Sequence, residues 1–139
     1  MMAKKTGKDT ISTGKKKTAT ARASFKEGKG EVRINSHPLE QWGSDYERGI
    51  IMEPLQIAQS YISNCDISVN VIGGGRMGQA VATRTAIARG IYKWSKNNEK
   101  LRQAFLEYDN KLLAGDSRLK EACKPGRSKA RARRQKSYR

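Results

Sequence analysis

The stretch Asp66–Thr83, DISVNVIGGGRMGQAVAT, decides how this chain is read. Ile67, Val69 and Val71 alternate with polar residues, the period of a strand with one buried face. Gly73, Gly75 and Gly78 then fall at G-x-G-x-x-G spacing, and a helical pattern begins. A dinucleotide fingerprint needs more: a second parallel strand after the helix, with an acid for the ribose hydroxyl about 20 residues on. Here the helix runs to about Asn97, and Glu99, at roughly that distance, opens another helical stretch with no β-branched strand before it. The remaining chain is also too short for the other strands of a doubly wound domain. The reading as a nicotinamide-linked enzyme fails, and no cofactor is expected. Two compatible roles remain for the loop. Glycines let the backbone turn tightly and approach a partner, and the helix start offers free N–H groups and partial positive charge, so with Arg76 and Gln79 the loop suits an RNA phosphate. Alternatively, Gly73 to Gly75 simply permit a strand-to-helix turn.

Working outward, Ala80, Ile87, Ile91 and Trp94 form a stripe at helical spacing, with Arg84, Arg89, Lys93 and Lys96 mostly off it. A second helix is predicted over Glu99–Tyr108, with Leu101, Phe105 and Tyr108 on one side, and LLAG (112–115) reads as a short final strand. Upstream, Thr18–Phe25 and Glu31–Asn35, separated by KEGKG, predict a β-hairpin. NSHP (35–38) is a turn in which Pro38 stops further pairing. Ser44 and Glu47 are spaced as a capping box, and Ile51, Leu55, Ala58 and Ile62 predict a helix over Ile50–Ile62 with Pro54 in its first turn.

The 139 residues suffice for one small domain, and 36% apolar residues with 6% aromatics allow only a modest core. The net charge is +16, and its distribution matters more than its total. Residues 1–23 hold seven Lys/Arg against Asp9, and residues 118–139 hold ten against Glu121, which leaves the middle nearly neutral. Three parts follow: a basic N-terminal arm (1–14), a globular domain (15–117) and an extended basic C-terminal tail (118–139). Such arms repel themselves and lack apolar surface, so they expect a polyanion. Nucleic acid leads, because Lys and Arg release its condensed counterions; a membrane would need an apolar helical face that neither arm supplies. No stretch is long and apolar enough for a spanning helix, and the N-terminus lacks the apolar core of a secretory signal, so cytoplasmic residence is expected.

Catalytic constellations are missing. His37 is the single histidine and sits beside Pro38, which disfavours a metal cluster, a triad or a histidine base with a partner. Cys65 and Cys123 have no C-x-x-C spacing and read as reduced thiols. No small-molecule substrate is expected.

The tail Lys124–Arg139, KPGRSKARARRQKSYR, is built for phosphates. Arg127, Lys129, Arg131, Arg133, Arg134, Lys136 and Arg139 recur with almost no apolar residue between them; arginine forks onto phosphate oxygens and lysine supplies a point charge. Extended from Ser128 to Arg139, the chain spans on the order of 40 Å. Tyr138 is either an exposed terminal aromatic or a stacking group on a ribose or base.

Five ordered blocks carry a family resemblance: GKKKTATA (14–21), INSHPLE (34–40), GGGRMGQAVATRTAIARGI (73–91), EYDNKLLAGDSRLKE (107–121) and ARARRQKSYR (130–139). Together they resemble the universal small-subunit ribosomal protein nine family, and the QKSYR ending resembles its archaeal and eukaryotic branch. The resemblance implies an α+β fold: a two-layer α/β sandwich with a mixed sheet of about four strands and helices on one face. The order would be three early strands, a helix, a fourth strand and a helix, with a left-handed βαβ connection as in the second domain of small-subunit ribosomal protein five, an exception to the usual hand. It implies a place in the head of the small subunit, among neighbouring head proteins. Ribosomal RNA would be held by Lys15, Lys16, Lys17, Arg22, Arg76, Arg84, Arg127, Lys129, Arg131, Arg133 and Arg134, and the peptidyl-site transfer RNA by Lys136, Ser137, Tyr138 and Arg139. The family often has N-G-x-P where this chain has Asn35-Ser36-His37-Pro38, and I-A-R-A-L where this chain has Arg89-Gly90-Ile91; Gly90 within a helix costs about 1 kcal/mol relative to Ala. The glycine-rich approach to the tail is also thinner, with Cys123 to Arg127 in its place.

Overall fold

The computed structural model describes residues 9–126 and 129–132. Period-two alternation produces the sheet. In β2 (Ala19–Glu27), Ala19, Ala21, Ala23 and Phe25 are buried while Thr20, Arg22 and Lys26 face solvent. In β5 (Cys65–Ile72), Cys65, Ile67, Val69 and Val71 are buried and Ser68, Asn70 and Ile72 are exposed. β1 (Thr10–Lys16) turns back on β2 with Lys16 opposite Ala19, the turn holding Lys17 at φ 54°. β3 (Val32–Ile34) lies parallel to β5, and β4 (His37–Pro38) is a two-residue antiparallel edge. The sheet has five strands in the order β1-β2-β5-β3-β4, against the four or so expected.

The expected hairpin between the second and third strands does not form, because β5 is inserted between them. A single carboxylate explains the crossing. Asp66 Oδ1 accepts hydrogen bonds from the backbone N–H of Lys29 (2.8 Å), Gly30 (3.0 Å) and Glu31 (3.0 Å), so KEGKG is wrapped over the start of β5 and resumes on its far side. The NSHP turn forms, with Asn35 and Ser36 at φ 49° and 69°, the mirror-image hairpin turn that suits strand twist. Asn35 also extends the β3–β5 pairing: its side chain exchanges two hydrogen bonds with the backbone of Val71, at 2.9 and 3.1 Å.

The parallel pair β3–β5 is connected through α1 (Asp45–Ile57) and α2 (Gln59–Ile62). The capping box is present: Glu47 Oε2 accepts from the Ser44 backbone at 2.8 Å, and Ser44 Oγ accepts from the Glu47 backbone at 3.5 Å. It starts the helix at Asp45 rather than Ile50, so Pro54 stands in the helix interior and not in the first turn. Its missing N–H interrupts the ladder. Three residues later α1 ends, and the Ala58 N–H bonds to Pro54 O at 3.2 Å.

α3 (Arg76–Trp94) lies across β1 and β2 and α4 (Glu99–Tyr108) beside it, all helices on the buried side of the sheet. Small residues bring the layers close. A Cβ on Gly14 would overlap the Ala82 carbonyl, and Ser12 Oγ donates to Ala86 O at 2.6 Å. These contacts put Thr10–Gly14 in the globular body, so the expected boundary after Gly14 falls inside β1. Leu101 and Phe105 of α4 are buried, but Tyr108, expected beside them, is exposed at the helix end. LLAG is not a strand: α5 (Lys111–Ala114) is a helical turn started by Asp109, whose Oδ1 accepts from the Lys111 N–H at 2.8 Å.

Candidate nucleic-acid interface

Alternation along β1 and β2 places Lys15 and Arg22 on the open face of the sheet, while Lys17 is exposed in the turn between them. None of the three has an ion pair among the described residues. Lys16 differs. Its Nζ lies 3.0 Å from Asp116 Oδ2, and the same carboxylate takes a forked contact from Arg118, Nε to Oδ1 at 3.1 Å and Nη2 to Oδ2 at 3.0 Å. The Arg118 guanidinium, then its backbone N–H and Lys16, hold the Asp116 carboxyl far below the usual carboxylate range. Asp116 in turn raises the Arg118 guanidinium.

The glycine loop divides. Gly73 and Gly74 have φ 75° and 67°, and a Cβ on them would come within 2.7 Å of Thr18 O and 2.9 Å of the Ala19 Cβ. These two seat the strand-to-helix turn against the β1–β2 turn. Gly75 is the N-cap of α3, has open space around it and no side-chain cap. Arg76 follows, 73% exposed, with Nη2 3.2 Å from the buried Glu47 Oε2. Glu47 is held below its ordinary pKa of 4.5, chiefly by the Ser44 backbone hydrogen bond and further by Arg76. Lys17, Gly75 and Arg76 thus gather at one end of the sheet.

Arg84 points inward. Its side chain is only 14% exposed; Nε lies 2.6 Å from Glu53 Oε2, an ion pair without hydrogen-bond alignment, and Nη2 lies 3.0 Å from Asp109 Oδ2. It joins α1 to the end of α4. Lys129 is exposed, and Arg131, 87% exposed, pairs with Glu121 at 2.9 Å. Arg127, Arg133, Arg134, Lys136, Ser137, Tyr138 and Arg139 lie outside the described residues.

Sequence reasoning missed Arg89. Its Nε donates to Leu113 O (2.7 Å), Nη2 to Ala114 O (2.7 Å) and Nη1 to Thr13 O (3.0 Å), so one guanidinium fastens α5 to β1. Its position off the apolar stripe was visible; three backbone carbonyls converging from distant segments were not. With Asp116, it fixes where the chain leaves the body toward the tail.

Among the described residues no cluster of His, Cys, Asp and Glu could hold a metal, and no helix is long and apolar enough to cross a membrane. Cys65 is a buried free thiol whose pKa is pushed up to about 11 by burial and by Asp66, and Cys123 is an exposed one.

Residues 14–139 match the family described as ribosomal protein S9/S16. The chain is 53% identical over 128 residues to the small ribosomal subunit protein uS9 of Methanothrix thermoacetophila, covering 92% of this chain and 96% of that one. It is 50% identical to the protein of the same name from Pyrobaculum aerophilum (93% and 90% covered) and 49% identical to that from Thermoplasma volcanium (93% and 97%). The fold, the cationic surface and these matches agree, and the chain belongs to the ribosomal protein S9/S16 family.

Proposed function

We propose that this chain is a structural, non-enzymatic constituent of the small ribosomal subunit in the cytoplasm, acting in translation by binding ribosomal RNA in the subunit head. The tail reaches the peptidyl-site transfer RNA, and neighbouring head proteins complete its surroundings. The observation that carries this reading is a folded body with unpaired surface cations that continues into a strongly cationic tail, ten Lys/Arg against Glu121 over residues 118–139, in a chain of this family. The body sets position, Lys15, Lys17, Arg22 and Arg76 supply phosphate contacts at its surface, and Arg127, Lys129, Arg131, Arg133 and Arg134 extend them along the tail. Lys136, Ser137, Tyr138 and Arg139 complete the chain at the transfer RNA. Arg84 contributes from inside, by holding the helices in place, and Lys16 by holding Asp116.

The test is co-sedimentation with small subunits at moderate salt, followed by filter binding of transfer RNA to subunits carrying a chain without Lys136–Arg139. Incorporation is expected to survive and transfer RNA retention to weaken. Native protein absent from small subunits overturns the reading; unchanged retention across several salt concentrations overturns the tail contact.

A further inference from the structure

An open sheet ends in two edge strands, and each offers backbone groups to any strand that comes near, a second copy of the same chain included. The β4 edge is blunted by its own sequence: it has two residues, and Pro38 carries no N–H. The residues of β1 offer no such protection. It runs for seven residues, TISTGKK, without proline, and among the described residues it pairs on one side only, with β2. In an antiparallel pair, successive residues turn their backbone groups alternately toward and away from the partner strand. Ile11 and Thr13 share one parity, and both carbonyls turn away from β2, because side chains of α3 reach them: Lys93 Nζ donates to Ile11 O at 3.4 Å, and Arg89 Nη1 donates to Thr13 O at 3.0 Å.

The two periods fit each other. Four residues of helix rise about 6 Å and two residues of strand about 6.6–6.8 Å, so donors one helical turn apart on α3 meet successive outward carbonyls of β1. Past Thr13 a later segment of the chain covers the same edge: Arg89 also holds Leu113 O and Ala114 O, and Asp116 is paired with Lys16. A strand adding to β1 needs the Ile11 and Thr13 carbonyls as acceptors, and it meets an ammonium and a guanidinium in their place. Net charge does not close the edge by itself. It is screened beyond about 8 Å at physiological ionic strength and about 3 Å at 1 M, whereas neighbouring strands pair at about 4.8 Å.

We infer that Arg89 and Lys93 close the β1 edge against strand addition, and that the partner they exclude is a second copy of this chain. Two copies would otherwise meet β1 to β1, antiparallel, through the same outward row on each, which is a self-complementary contact. The device keeps the free chain monomeric, and it stands independently of RNA binding and of the function proposed above.

The test is sedimentation equilibrium of the full chain alone, at about 0.15 M and about 1 M salt. The unaltered chain should be monomeric at both. The chain carrying Arg89→Met and Lys93→Met should self-associate about tenfold or more tightly, and more so at the higher salt, with the Ile11, Thr13 and Lys15 amides gaining protection from exchange as it does. Adding Thr13→Pro to that pair should abolish the association, because proline removes an outward N–H and leaves the β1–β2 ladder in place. Lys100→Met with Arg102→Met removes the same charge from α4 and should leave the chain monomeric. Lys93→Met alone keeps Arg89 on α5 and should associate to an intermediate degree; where the double variant fails to fold by circular dichroism, this one decides, and a monomer overturns the inference. So does a folded double variant that stays monomeric, association that survives Thr13→Pro, equal association of the α4 control, or an unaltered chain that pairs at the higher salt.

Discussion

The ring of Phe25 on β2 fills the space that a Cβ on Gly90 of α3 would occupy. Both residues are buried, so the glycine that looks misplaced in a helix is a seat for the largest buried side chain of the sheet. Ser12 Oγ closes the same spot, 2.7 Å from where that Cβ would stand. The helix-propensity cost of about 1 kcal/mol is offset by the packing it permits.

Gly90→Ala is therefore expected to destabilise the chain by about 1–3 kcal/mol, the range for overpacking, despite its better helix propensity. Urea denaturation checks this. Adding Phe25→Leu to Gly90→Ala should recover part of the loss, because the two positions share one volume. A higher midpoint for Gly90→Ala alone would contradict the packing.

Arg84 gives a test of internal against external use of charge. Arg84→Met should destabilise by about 1.5–3 kcal/mol, because it removes charged contacts to Glu53 and Asp109 and leaves both partly buried carboxylates without that cation. The salt slope of RNA binding should stay unchanged once the protein is kept folded. A slope reduced by about one would mean that the guanidinium reaches a phosphate.

Arg89 sets the launch point of the tail. Its Nη2 would lie 2.8 Å from a Cβ on Gly115, which sits at φ 77° immediately after α5. Arg89→Met should release α5 and speed amide exchange over residues 111–118 by roughly 10-fold or more, with exchange in β5 little changed. Uniform acceleration throughout the chain would point to global destabilisation and against a local fastener.

Acid should weaken the fold through three carboxylates. Asp66 is held below its ordinary value of 3.8 chiefly by the Glu31 amide and further by those of Lys29 and Gly30; Glu47 and Asp116 are lowered by the partners described above. A depressed carboxyl binds fewer protons folded than unfolded, so its stabilisation is fully present above its unfolded pKa and is lost as pH falls through the folded one. The melting temperature is expected to be insensitive to these groups from pH 7 to about 5 and to drop below about 4.5. Asp66→Asn should blunt that drop while lowering the melting temperature at pH 7.

Much of the body is legible in the chain because its signals are local. The alternation of Ile67, Val69 and Val71, the Ser44/Glu47 box and the Leu101/Phe105 spacing each lie within one element, and each forms where expected. Short apolar runs carry less information: LLAG has no period long enough to separate strand from helix, and it became a helical turn through Asp109 and Arg89. The Pro54 error has the same origin, since apolar spacing marks a buried face but not the turn on which a helix begins.

The sequence by itself determined the charge partition, the lack of catalytic groupings and the cationic tail, because composition and the order of residues carry these properties without reference to any contact. Only the tertiary structure decided which strands are neighbours and which cations are free. β5 enters between β2 and β3 because Asp66 gathers three amides from a loop more than 30 residues away. Arg84 and Arg22 look alike in the chain, yet one is neutralised between two carboxylates and the other stands on an open sheet face. Coulomb energy depends on separation and burial in space, and neither can be counted along a sequence.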